Sequence, residues 1–131
     1  MAPLRILIAD DKPMVRCGIR MLLEEHEDWI VCGEAPDGSE AIKQADALKP
    51  DIVLLDLAMP KMDGLTALPA IREKAPNAAI VIVTLYGDPD SAGVAARLGA
   101  NAFVSKVFLN TDLIPTIEEL GIPHNSVGQS K

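Results

Sequence analysis

Five side chains in this sequence have the right chemistry to handle a charged group together: the pair Asp10-Asp11, then Asp56, Thr84 and Lys106. Carboxylates are oxygen donors for a hard cation. A hydroxyl and an ammonium can donate to anionic oxygens. Taken singly, each has a bland explanation. An Asp at a strand end commonly caps a loop or helix, a Thr there finishes a strand as a β-branched residue, and a lone Lys is usually a solvated surface residue. The set does chemistry only if the chain brings its members together.

The intervening pattern predicts that it does. Five short apolar runs, at 4–9, 29–34, 51–56, 78–84 and 101–105, are strand-length, and most are rich in Ile and Val. Several are apolar on both faces, as strands covered on both sides must be. Helical patterns lie between them. Val15, Gly18, Ile19 and Leu22 share a face after Pro13, and Asp37 with Glu40 reads as a capping box. Asp63 is placed to cap the third helix. Asp88-Pro89 starts the fourth and Gly99 stops it, and Asn110 or Thr111 starts the last. Pro69 predicts a kink in the third helix, or a late start, and Pro115 is read as lying near the start of the last helix. The alternation predicts an α/β fold: a (βα)5 doubly wound, five-stranded parallel sheet of order 2-1-3-4-5. Residues 1–121 make one domain, and 122–131 form a polar tail or the start of a linker.

In that order strands 1 and 3 are neighbours where the winding reverses, and ligands of open α/β sheets sit beyond the strands' carboxyl ends there. Asp10, Asp11 and Asp56 then converge. Carboxylates about 4 Å apart repel by roughly 4 kcal/mol at an effective dielectric near 20. Lys106 offsets one charge, and a divalent cation such as Mg²⁺ suits the remainder. Composition narrows the partners. A net charge of −7 makes the chain a poor binder of nucleic acid. No apolar stretch approaches the ~20 residues of a membrane helix, and no signal-peptide core stands out. The simplest location is cytoplasmic. Cys17 and Cys32 read as reduced, small apolar residues, and His26 and His124 as surface residues.

The segments LIADDKPMVRCGIRMLL, VCGEAPDGSEAI and KPDIVLLDLAMPKMDG resemble the receiver domain of two-component response regulators, from about Leu4 to Leu120. The likeness is closest to receivers that precede a helix-turn-helix DNA-binding module. It implies a flavodoxin-like receiver fold with Asp56 as phosphoacceptor for a sensor histidine kinase. It implies direct Mg²⁺ ligation by Asp11, Asp56 and the backbone carbonyl of Ala58, with Asp10 acting through water and Mn²⁺ able to substitute. It makes Thr84 and Lys106 the catalytic partners of the phosphoryl group, and Thr84 with Phe103 the switch. The face of the fourth helix, fifth strand and last helix then controls an output, and can form a homodimer. The chain is either a stand-alone receiver or part of a longer DNA-binding regulator. Its only chemistry is self-catalysed phosphotransfer and autodephosphorylation.

Three residues depart from the family pattern near the site. Leu85 puts a bulky side chain after Thr84, Val107 stands where Pro commonly follows the lysine, and Ala58 offers no side chain to steer water. Ala58 also argues against an aspartyl-phosphate phosphatase, which needs a second acid at that position. The DDKP loop argues against a flavin domain, which needs Ser, Thr and Gly around a phosphate.

Overall fold

The computed structural model describes residues 3–85 and 89–121. Among them, strands β1 (Leu4–Ala9), β2 (Trp29–Ala35), β3 (Ile52–Leu55), β4 (Ala79–Thr84) and β5 (Ala102–Ser105) form one parallel sheet. Its order is β2-β1-β3-β4-β5, the doubly wound order the sequence predicts. The helices are α1 (Pro13–Glu24), α2 (Gly38–Leu48), α3 (Gly64–Lys74), α4 (Pro89–Arg97) and α5 (Leu109–Gly121). Asp88, the tail at 122–131 and His124 lie outside the described residues.

Alternation along the strands explains their unbroken apolar character. Ile52 and Leu54 of β3 join Ile6, Ile8, Val81 and Val83 under α1 and α5. Val53 and Leu55 join Leu7, Ile80 and Ile82 under α2, α3 and α4. With both faces covered, no position on a central strand can be polar without a partner. Among the described residues four polar side chains are nevertheless buried: Asp10, Asp37, Asp56 and Thr84. Asp37 caps α2, accepting from the Glu40 N–H at 2.9 Å. The reciprocal half of the capping box is replaced by a Glu40–Lys43 contact at 3.8 Å. The other three buried polar residues stand at the carboxyl ends of β1, β3 and β4.

Two expectations about the prolines need correction. Helix α3 does not start late. It begins at Gly64, directly after Asp63, whose side chain accepts from the Thr66 N–H at 2.8 Å. Pro69 sits inside it, where Ala67, Leu68 and Ile71 are fully buried. Helix α5 starts earlier than Asn110, because a 3₁₀ turn over Lys106–Phe108 leads directly into it. Pro115 is therefore mid-helix, between the fully buried Leu113 and Ile117. In both helices, burial of the apolar stripe outweighs the lost backbone hydrogen bond. Thr111 does not cap α5; its hydroxyl donates to the Phe108 carbonyl at 3.2 Å. Val107 carries an N–H that proline lacks, and this N–H donates to Ser105 Oγ at 3.2 Å, closing the turn after β5.

The opposite end of the sheet is tied by one side chain. Arg72, near the end of α3, donates to the carbonyls of Ala78 (2.5 Å), Pro76 (3.1 Å) and Gly99 (2.7 Å), and to Asn101 Oδ1 (2.7 Å). Asn101 Oδ1 also accepts from the Ile80 N–H at 2.8 Å. The turn before β5 is thus pinned to α3 and β4.

Candidate functional site

The ladder between β1 and β3 runs one residue past the strands: the Asp56 N–H donates to the Ala9 carbonyl at 3.0 Å. That bond sets Asp56 beside Asp10. The Asp10 N–H donates to the Ala35 carbonyl at 3.0 Å, anchoring the residue to β2 as well. Oδ1 of each carboxylate is held by its own loop, through the Lys12 N–H at 2.9 Å for Asp10 and the Ala58 N–H at 3.2 Å for Asp56. Gly64 is required close by, since any Cβ there would fall against the Asp56 carbonyl.

Both Oδ2 atoms turn to the same cation. Lys106 Nζ lies 2.6 Å from Asp10 Oδ2 and 3.2 Å from Asp56 Oδ2. The lysine is 11% exposed and each carboxylate 2%. The Asp56 contact is a hydrogen bond. The shorter Asp10 contact is an ion pair with the same ammonium. Asp11 is 30% exposed and pairs with Lys12 Nζ at 3.2 Å. The Asp11 carboxylate holds the Lys12 ammonium above its ordinary pKa.

One carboxylate oxygen from each of Asp10, Asp11 and Asp56 lies within 4.8 Å of the other two. Burial pushes the Asp56 carboxyl above its usual range; Lys106 opposes that shift, the charge of Asp10 adds to it, and the Ala58 N–H opposes it. Three carboxylates facing the Lys106 ammonium and the exposed Lys12 ammonium leave a deficit of positive charge. The donor set is all oxygen and gathered in one cluster, so the residues fit a hard divalent cation.

A cavity of about 460 Å³ opens onto this cluster, lined by Lys12, Asp56, Ala58, Thr84, Leu85 and Lys106. Thr84, buried at the end of β4, pairs in register with Ser105, the residue before Lys106. Leu85 is exposed at the rim. The structure therefore brings Asp10, Asp11, Asp56, Ala58, Thr84 and Lys106 to one place. Phe103 lies elsewhere. It is half-buried, pairs in register with Ile82 and lines a separate space of about 100 Å³ beside the alanines of α4.

Sequence reasoning missed two contributors to the site. Lys12 follows the acidic pair directly and could have been included on that ground. Arg16 reaches back one turn to the Asp10 carbonyl at 2.7 Å while holding Glu34 at 2.9 Å; only the pairing of β1 with β2 makes this visible. His26 is less free than a surface residue. It stacks on Trp29 with ring centroids 3.9 Å apart and lies 3.8 Å from Glu118. Cys17 is exposed, Cys32 is half-buried, and both are free thiols. No helix among the described residues is long and apolar enough to cross a membrane.

Comparison with known proteins adds independent findings. Residues 6–118 match the family model of the response regulator receiver domain. The chain is 40% identical over 116 residues to the transcriptional regulatory protein PdtaR of Mycobacterium tuberculosis (strain ATCC 25618 / H37Rv), covering 88% of this chain and 56% of that protein. It is 36% identical over 117 residues to the nitrate/nitrite response regulator protein NarL of Escherichia coli (strain K12), covering 89% and 54%. The chain thus spans about half the length of these relatives. Among solved structures, a chain of the CheX-CheY-BeF3-Mg+2 complex from Borrelia burgdorferi superposes with a TM-score of 0.87 at 27% identity, covering 93% of this chain and 92% of that one.

Proposed function

The chain belongs to the response regulator receiver family, and from that premise we propose that it is a phosphoacceptor switch whose acceptor is Asp56. One observation carries the reading: two buried carboxylates share a single lysine, at 2.6 and 3.2 Å, beside an open cavity. An ion pair serving only stability gains nothing from a second buried acid. A site waiting for a cation and an anionic group does.

An Asp56 carboxylate oxygen attacks the phosphorus of a histidine kinase's phosphohistidine. The oxygen–phosphorus bond forms as the phosphorus–nitrogen bond breaks, and the imidazole leaves. No general base is needed, because the nucleophile carries no proton when ionised. Asp11, Asp56 and the Ala58 carbonyl would hold Mg²⁺ or Mn²⁺, with Asp10 contributing through water, and the ion would neutralise charge on the phosphoryl oxygens. Lys106 pairs with one of those oxygens and Thr84 donates a hydrogen bond to another. The new charge draws Thr84 inward, Phe103 follows, and the α4–β5–α5 face shifts in population.

That face contacts an output partner, a second receiver, or a DNA-binding domain within a longer cytoplasmic regulator. Residues 1–121 are the receiver unit and 122–131 the tail or linker. With a net charge of −7, the chain itself leaves nucleic acid to such an output.

Beryllofluoride, named with Mg²⁺ for the Borrelia complex, mimics a phosphoryl group on a carboxylate. With Mg²⁺ it should raise the melting temperature by about 5 °C or more, as ligands selective for the folded state do. EDTA or Asp56→Asn should abolish the rise. An undiminished rise in Asp56→Asn contradicts the assignment. Leu85, exposed at the cavity rim, restricts entry of the donor. Leu85→Ala should therefore accelerate labelling by acetyl phosphate several-fold; an unchanged or slower rate removes that role.

A further inference from the structure

We infer that Arg16 is a positioning residue for the acidic pocket, fixing the peptide that aims Asp11, and that Glu34 acts through it. The inference rests on the metal-binding reading of the pocket. Arg16 stands in the first turn of α1 and is 17% exposed. Its Nη1 donates to the Asp10 carbonyl at 2.7 Å and its Nε to Glu34 Oε1 at 2.9 Å. Glu34, on β2, is clamped from the other side, where Oε2 accepts from Arg20 Nε at 2.9 Å and Nη2 at 2.6 Å. The Arg16 guanidinium is therefore locked in its plane before it meets the Asp10 carbonyl.

That carbonyl belongs to the rigid Asp10–Asp11 peptide. Asp10 has further anchors, at its N–H and its Oδ1. The Asp11 side chain pairs with Lys12, itself 58% exposed. The direction of the Asp11 carboxylate thus depends on how its backbone is held, and Arg16 holds the carbonyl side. If the peptide turns, Asp11 leaves the 4.8 Å cluster while Asp10 and Asp56 stay on Lys106. Groups that orient metal ligands in this way typically contribute about 10–100-fold in affinity.

The test is calorimetric titration of the full 131-residue chain with MgCl₂. Arg16→Met should weaken Mg²⁺ binding by about tenfold or more. Arg20→Met keeps both Arg16 bonds but unclamps Glu34, so it should weaken Mg²⁺ binding less than Arg16→Met does. A purely structural staple would lower the melting temperature of both variants and alter the Mg²⁺ affinity of neither. Steady labelling by acetyl phosphate gives a second readout: in Arg16→Met the Mg²⁺ concentration for half-maximal rate rises, while the rate at saturating Mg²⁺ holds. If Arg16→Met fails to fold, Arg16→Lys decides, since one ammonium cannot serve Glu34 and the Asp10 carbonyl together; its affinity should also fall. Wild-type affinity in the Arg16 variants overturns this inference alone. Absence of Mg²⁺ binding by the unaltered protein overturns the reading of the pocket and this inference with it.

Discussion

Lys106→Met should lower the stability of the metal-free protein by about 3 kcal/mol and slow phosphorylation of Asp56 by about 10²-fold. The lysine, 11% exposed, is the cation between Asp10 and Asp56, at 2.6 and 3.2 Å. Methionine keeps most of the stem's volume, so packing changes little and the charge effect dominates. Removing one partner of a buried pair leaves an uncompensated charge, which is the costly case. Burial already raises the Asp56 pKa, and Lys106 is the largest opposing influence. Without Lys106 the two acids face each other unshielded. Saturating Mg²⁺ should therefore recover a large part of the lost stability, because it restores positive charge at the same oxygens. It should not recover the rate, because the phosphoryl oxygens lose their ammonium. Denaturant titration with and without Mg²⁺ separates the two effects. Stability unchanged by the substitution would mean that the pair contributes nothing.

Arg72→Met should cost about 3 kcal/mol while leaving phosphoryl acceptance intact. The guanidinium serves four acceptors, three of them main-chain carbonyls. The part-buried Gly99 and Ala78 carbonyls lose their Arg72 donors, each loss costing on the order of 1–2 kcal/mol. Burial also lowers the pKa of Arg72, so its positive charge is maintained against a desolvation cost that these acceptors offset. Arg72 ties the amino ends of β4 and β5, whereas Asp10, Asp56 and Lys106 follow the carboxyl ends of β1, β3 and β5, so the site should survive. A fall in denaturation midpoint with an unchanged slope would show lost stability without a change in cooperativity. A loss under about 1 kcal/mol would show that water replaces the guanidinium at these carbonyls.

The topology and the meeting of distant acids were legible in the sequence for one physical reason. Strands buried on both faces must be apolar throughout, so Asp56 after Ile52–Leu55 and Asp10 after Leu4–Ala9 stand out as breaks. Right-handed crossovers then make β1 and β3 neighbours and leave little freedom in where the acids go. What was misread depended on contacts between elements. The position of Pro115 was mistaken because the 3₁₀ turn at Lys106–Phe108 is held by Ser105 and Val107, not by a periodic signal. Pro69 predicts a kink or a late start for α3; the late start is excluded, because the Asp63 cap and the burial around Leu68 fix the first residue at Gly64. Arg16 went unnoticed because its partners, Asp10 and Glu34, lie on different strands. The need for Gly64 has no local signal, because it arises from the approach of the Asp56 backbone.

The assignment of Asp56 is tested most directly by intact mass after incubation with acetyl phosphate and Mg²⁺. The account predicts one phosphoryl adduct per chain, removed by hydroxylamine, suppressed by EDTA and missing from Asp56→Asn. An adduct that forms equally in Asp56→Asn, or that resists hydroxylamine, would contradict it.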